Sequence, residues 1–291
     1  MSKVRTAVIP VAGYGTRFLP FTKAIPKAML PIVNKPAVQM VIEEAANSGI
    51  ERVVLVVGQH SEIINAHFST AKDLEETLQK RESYDFLELV KSTSCGVEVV
   101  VAFQEKQTGT ASAVLCAKSF VPEGEPFAVM FGDDVMLSEK PVLKQLIEVY
   151  ENTQKTVIGV KNVGFDQVGK YASVEYSAKN GNLYEVSAIT EKPKAGSAKS
   201  DLAPLGRYVC RAELWDILEN LKTGLNGEYQ FTDALGLESQ SQNALAYAFD
   251  GKRFDMGDRV GFLKANVEFA LENPEISEEF KNYLKNLAKK F

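Results

Sequence analysis

Two glycines, an arginine and two lysines gather near the amino end of the 291-residue chain in a pattern suited to holding phosphate. In Ala12-Gly13-Tyr14-Gly15-Thr16-Arg17 the glycines let backbone N–H groups approach anionic oxygens, and Arg17 can pair with the charge. A tight strand-to-helix turn would use the same residues. A dinucleotide fingerprint would need a third glycine where Phe18 stands, so that reading fails. Downstream, Lys23 and Lys27 lie in a segment stiffened by Pro20, Pro26 and Pro31, which gives the lysines a fixed direction. Carboxylates follow. Gly132-Asp133-Asp134 comes directly after the apolar run 127–131, placing two anions at the exposed end of a buried strand, where they need a cation or a solvated loop. Asp255 precedes Gly257 in the same manner, after an expected hairpin strand. Magnesium takes one or two carboxylates and completes its shell with water and substrate phosphate, so Asp133 and Asp255 suffice for that ion. Asp134 reads either as a partner behind them or as a turn former. Glu191-Lys192-Pro193 closes another strand, and by itself such a pair belongs to a solvated rim. The stretch 164–171 nearly spells a phosphate loop, but Tyr171 stands where a magnesium-binding hydroxyl is needed and a strand follows.

The elements that position these residues alternate β-branched runs with amphipathic segments, the pattern of a parallel sheet with crossover helices. Strands are expected at 4–11, 52–57, 97–103, 127–131 and 155–160. Between the first two, a helix starts near Pro36, carries Val38, Val41, Ile42 and Ala45 on one face, and stops at Gly49. Further helices are expected at 71–91, 109–118 and 141–152. Beyond 161, Asn180-Gly181 and Asp250-Gly251 signal hairpins of a mixed or antiparallel extension. Helical periodicity returns at 211–222, 230–240, 260–271 and 274–289. No internal repeat or linker interrupts the chain, which favours one continuous domain over 1–291 with parts at 1–160, 161–255 and 256–291.

Composition narrows the function classes. With 45% hydrophobic and 24% charged residues the chain can bury a full core. A net charge of -5 argues against a nucleic-acid surface. Three cysteines, Cys95, Cys116 and Cys210, show neither zinc nor disulfide spacing and suggest a reducing compartment. The apolar run ending at Pro10 is too short for a membrane span, so a cytoplasmic protein without membrane partners is expected. Only two histidines, His60 and His67, are present, and they read as surface or helix-face residues.

The G-x-G-T-R loop followed by Pro26-Lys27-Ala28-Met29-Leu30-Pro31 resembles the sugar-nucleotide pyrophosphorylases, and among them the bacterial members that use UTP and glucose 1-phosphate. Further strings of that family occur in order: Gln104 with 109–114, 132–134, 191–194, 206–208, 228–234 and 254–257. The resemblance implies an α/β, Rossmann-like three-layer nucleotidyltransferase fold, with a mostly parallel central sheet, helices on both faces and a smaller mixed β extension. It also implies Mg²⁺-assisted in-line attack of the sugar phosphate on the α-phosphate of UTP, giving UDP-glucose and pyrophosphate. In that pattern Ala12, Gly13, Gly15, Thr16, Gln104 and Gly109 hold the nucleotide, with Arg17 and Lys27 on the triphosphate. Lys192 would hold the sugar phosphate, Ala172, Glu191 and Gly206 the sugar, and Asp133 and Asp255 the metal. Ala28, Ser112, Ala172 and Met256 depart from the family's usual glutamate, histidine, glycine and cysteine, which leaves another sugar or dTTP as the alternative substrates. Both aspartates and both key lysines are present, which disfavours a non-catalytic relative that only binds nucleotide sugars. Exposed faces on the last two helices are compatible with a dimer or tetramer.

Overall fold

The computed structural model describes residues 3–58 and 61–290. His60 lies outside the described residues. The strands are β1 (Thr6–Pro10), β2 (Pro31–Ile32), β3 (Lys35–Pro36), β4 (Arg52–Val57), β5 (Glu98–Phe103), β6 (Phe127–Met130), β7 (Asp134–Leu137), β8 (Thr156–Asn162), β9 (Ala172–Asn180), β10 (Leu183–Glu191), β11 (Leu202–Cys210), β12 (Ala244–Ala248) and β13 (Lys252–Asp255). The helices are α1 (Ala37–Asn47), α2 (Ser61–Phe68), α3 (Lys72–Lys80), α4 (Tyr84–Lys91), α5 (Thr110–Leu115), α6 (Val142–Thr153), α7 (Leu214–Glu219), α8 (Phe231–Gln240), α9 (Arg259–Glu272) and α10 (Ser277–Ala288).

Among the described residues a nine-stranded sheet runs in the order β5-β4-β1-β6-β11-β8-β12-β10-β9. Its first four strands are parallel, as their continuous β-branched runs require of strands covered on both faces. β11 then enters antiparallel between β6 and β8, buried at all nine positions. The strand pleat sends alternate residues to opposite faces. Ala7 and Ile9 of β1, with Val53 and Leu55 of β4, join α1, α6 and Ala265 of α9 in one core. Val8, Val54 and Val56 join α5, α7 and α8 in the other. The layers are therefore helix, sheet, helix, and the helical face Val38, Val41, Ile42 and Ala45 of α1 is buried.

Two expectations are corrected. The segment 71–91 is two helices, broken at Glu82, which takes a left-handed φ of 56°. Gln79-Lys80-Arg81-Glu82-Ser83 has no apolar side chain to hold a continuous helix onto the core, and α3 buries none of its residues. The Asn180-Gly181 turn does join a hairpin, β9 to β10, but Asp250-Gly251 does not. Gln145 of α6 clamps both backbone groups of Asp250, each at 2.9 Å, so the chain leaves β12 in the large sheet and enters β13, which pairs with β7. The later strands are the mixed extension expected: β8, β12, β10 and β9 continue the one sheet with parallel and antiparallel pairs, and the small sheets among the described residues are β13-β7 and β2-β3. No helix of the described residues is long and apolar enough to cross a membrane.

Candidate active site

The loops that follow β1, β5 and β6 open on a cleft of about 510 Å³. In a sheet of this kind the carboxyl edge of the parallel strands is where ligands bind. Val11, Ala12 and Gly13 form one wall, Gln104, Gln107 and Gly109 a second, and Phe131 to Asp134 the floor. Tyr171, Lys192, Arg253 and Asp255 close the remaining side. Gly109, at φ 127°, lets the second wall form: a Cβ there would lie 2.3 Å from the Tyr229 carbonyl oxygen.

The floor owes its shape to the register of β13 on β7, which sets Asp255 opposite Asp134. Asp133 then stands beside Asp255: the position a Gly257 Cβ would take is 2.9 Å from Asp255 Oδ1 and 3.2 Å from Asp133 Oδ2. The Met256 N–H donates to the Asp133 carbonyl at 2.7 Å, and the Gly257 N–H to Asp255 Oδ1 at 2.8 Å. Lys27 Nζ donates to Asp133 Oδ2 at 2.5 Å. Arg17 Nη1 donates to the Gly257 carbonyl at 3.2 Å, tying the glycine loop to the acidic turn across 240 positions of sequence. Burial pushes the Asp133 pKa up, but Lys27, by charge and hydrogen bond, and Arg253 outweigh it and hold the carboxyl below its ordinary value. Asp134 goes the other way. Burial lifts it to about 6, Arg253 opposes, and Asp133 and Asp255 add to the rise.

Asp134 is the partner behind the floor, not a turn former. Its Oδ1 accepts from Arg253 Nε at 2.6 Å and pairs with Arg253 Nη2 at 2.5 Å. Its carbonyl accepts from Arg207 Nη2 at 2.7 Å. Arg207 is fully buried and grips Glu44 of α1 through Nε and Nη2 at 2.7–3.1 Å, while its Nη1 donates to the Phe131 and Gly206 carbonyls. Gly206, at φ 68°, is where this clamp demands glycine, since a Cβ would lie 2.1 Å from Asp134 Oδ2.

Of the residues singled out in the sequence, Ala12, Gly13, Arg17, Lys27, Gln104, Gly109, Asp133, Lys192 and Asp255 line the cleft together. Thr16 lines a smaller adjoining cavity of about 260 Å³, and Gly15 lines neither, its carbonyl accepting from Thr22 Oγ1 at 2.8 Å. Ala172, Glu191 and Gly206 do not line the cleft. Ala172 is buried, Gly206 packs under Asp134, and Glu191 Oε2 accepts from Thr232 Oγ1 at 2.7 Å. Of the departures from the family pattern, Ala28, Ala172 and Met256 are buried, and Ser112 accepts from Gln104 Nε2 at 2.9 Å. Sequence reasoning missed Arg253, the side chain of Tyr171, Gln107, and the Glu44–Arg207 pair. Arg253, two residues before Asp255 on a strand, was the signal within reach, since that spacing puts both side chains on one face. A larger hollow of about 810 Å³ between α5 and α7 offers less chemistry, its Lys118 being paired with Glu219 at 2.6 Å.

The nucleotidyl transferase family model matches residues 6–272. A UTP–glucose-1-phosphate uridylyltransferase of Staphylococcus epidermidis is 44% identical over 287 residues, covering 99% of both chains. Among solved structures, a UDP-glucose pyrophosphorylase from Acinetobacter baumannii superposes with a TM-score of 0.90 at 35% identity, over 98% of this chain and 99% of that one. A UTP-bound enzyme of the same organism gives 0.88 at 36%, with the same coverage. A sheet that opens a glycine loop onto paired carboxylates, matched in sequence and shape almost from end to end, places the chain in the nucleotidyl transferase family, to which it belongs.

Proposed function

We propose that the chain transfers the uridylyl group of UTP to glucose 1-phosphate, releasing pyrophosphate and UDP-glucose. The observation that carries this reading is the convergence of Arg17, Lys27, Asp133 and Asp255 in one cleft beside the glycine loop, in a chain so similar to uridylyltransferases.

The attacking group is an oxygen of the sugar phosphate, already ionised at neutral pH, so no protein nucleophile or general base is required. A bond forms from that oxygen to the α-phosphorus of UTP, and the bond to the β-phosphate oxygen breaks with its electron pair leaving on pyrophosphate. The protein's task is to bring two anions together and to offset charge gathering at the α-phosphate. Arg17 and Lys27 face the triphosphate, and Lys192, whose half-exposed side chain lines the cleft beside Tyr171, meets the sugar phosphate. Gln104 has its amide nitrogen on Ser112 Oγ and the Gly109 carbonyl, which directs its oxygen to the base. Ala12 and Gly13 offer backbone groups to the same ring, and Thr16 and Gly15 shape the loop behind. Glu191, steadied by Thr232, is the carboxylate nearest in sequence to Lys192 and serves the sugar hydroxyls, with Ala172 and Gly206 forming the backing of that subsite.

The donor set fits magnesium. Asp133 and Asp255 bring hard carboxylate oxygens to either side of the Gly257 turn, and a magnesium ion held by two carboxylates completes its shell with phosphate oxygens and water. When bound by those two residues, the ion supplies charge neutralisation at the phosphates.

Pyrophosphate release with UTP, dTTP and CTP, each against glucose, galactose and N-acetylglucosamine 1-phosphates, tests the reading. UTP with glucose 1-phosphate is expected to give the highest kcat/KM; no release with any pair would overturn it. Asp133→Ala is expected to lose at least about 10²-fold in kcat, the scale of lost transition-state charge stabilisation.

A further inference from the structure

The acidic floor carries two candidate metal carboxylates, and the structure shows what orients each of them. Asp133 is held by Lys27. Asp255 is held from two sides: its Oδ1 accepts the Gly257 N–H at 2.8 Å, and its Oδ2 faces Arg253 Nη2 at 3.4 Å. The same guanidinium binds Asp134 Oδ1 through Nε and Nη2, and through Nη1 it donates to the Tyr171 hydroxyl at 2.9 Å. Its carbon lies 5.2 Å from the centre of the Tyr171 ring, within cation–π range. One planar fork therefore ties together β13, the start of β7 and the segment leading into β9. Its side chain is only 13% exposed, so the fork is held by packing as well as by charge.

We propose that Arg253 is a positioning residue for nucleotidyl transfer: by engaging Oδ2 it fixes the rotation of Asp255 and keeps Oδ1 on the side of Asp133, where the metal would be held. This rests on the uridylyl-transfer reading above. A lysine cannot replace it: an ammonium is a point charge and cannot reach Asp134, Asp255 and the Tyr171 hydroxyl in one plane. The action of Arg253 on the reaction runs through Asp255, and the effect falls on the metal and on turnover before it falls on sugar binding.

The test uses the full chain in three forms: Arg253→Met, Arg253→Lys, and Arg253→Met combined with Asp134→Asn. Binding of Mn²⁺ in the presence of UDP-glucose is read from the electron paramagnetic resonance of free Mn²⁺, beside kcat, KM and thermal unfolding. Removing a group that orients a metal ligand costs about 10–100-fold in metal affinity or activity, so Mn²⁺ binding and kcat are each expected to fall by that factor in Arg253→Met. KM for glucose 1-phosphate is expected to stay within about twofold, because Arg253 bonds Asp134, Asp255 and the Tyr171 hydroxyl and not Lys192, the cation that meets the sugar phosphate. Arg253→Met strands the buried Asp134 carboxylate and lowers stability; the double variant removes that charge and is expected to regain thermal stability without regaining Mn²⁺ affinity. Recovery of both together would show a merely structural role and overturn the proposal. Should the double variant unfold, Arg253→Lys, which keeps the charge, decides: wild-type Mn²⁺ affinity and kcat there also overturn it. Wild-type protein that releases no pyrophosphate from any nucleotide would instead refute the reading beneath.

Discussion

Glu238 is buried and Glu44 keeps only 10% of its side chain exposed; they sit on helices packed against opposite faces of one sheet, and each has its nearest arginine on or just beyond β11. Their surroundings differ. Glu44 receives Arg207 Nε and Nη2 and also the Leu143 N–H at the start of α6, 3.0 Å away. Neither oxygen of Glu238 has a well-formed hydrogen bond among the described residues: Thr156 is a weak partner, Arg211 Nη1 stops 3.8 Å away, and its Nη2 turns to Glu213 at 3.0 Å. Burial lifts the Glu238 pKa to about 7, with Thr156 and Arg211 pulling down and Glu213 pushing up. The same residue types thus give an ionic clamp under the cleft and a carboxyl that keeps its proton near neutrality behind it. The satisfied cluster is the one that supports the chemistry.

Breaking the clamp is expected to give the largest effect. Glu44→Ala leaves the Arg207 charge buried without its partner, and urea unfolding is expected to show a loss of about 3–5 kcal/mol. A loss under about 1 kcal/mol would mean that Arg207 is held well enough by carbonyls alone.

At the other cluster the sign reverses. Because the folded-state pKa of Glu238 lies above its ordinary 4.5, the native protein retains a proton that the unfolded chain releases. Stability is therefore undiminished below about pH 4.5, falls as pH rises towards 7, and carries the whole penalty above that. Glu238→Gln removes the titration, and at pH 8 it is expected to gain roughly 2–3 kcal/mol over the parent, shrinking towards zero at pH 4.5. A pH-independent difference between the two unfolding curves would dismiss the buried-proton account.

The smallest effect belongs to an exposed pair. Lys118 and Glu219 are 2.6 Å apart with side chains 39% and 45% exposed, and Lys118→Ala is expected to change stability by no more than about 0.5 kcal/mol, less in high salt. A larger loss would show that distance alone, and not burial, ranks these pairs.

Local chemistry made much of this molecule readable in advance. β1 and β4 announce themselves as β-branched runs, α1 by its buried face, and the carboxylates of Asp133 and Asp255 by the strands that end at or before them. Partner choice was not readable. Whether Asp250-Gly251 closes a hairpin depends on Gln145, 105 positions away, and the Glu44–Arg207 clamp spans 163 positions, beyond any periodicity. Arg253 looks like a solvated strand residue until β7 brings Asp134 against it. The sugar residues Ala172, Glu191 and Gly206 came from resemblance alone, and they stand outside the cleft lining.

The contact between Arg17 and Gly257 joins an early loop and a late turn, 240 positions apart in the chain. A ribosome that has delivered the glycine loop, Asp133 and most of both cores still holds a protein without Arg253 or Asp255, so nucleotide cannot rescue a half-made chain by mass action. Ligand-driven protection from proteases should therefore arise only once the final strand has emerged from the exit tunnel.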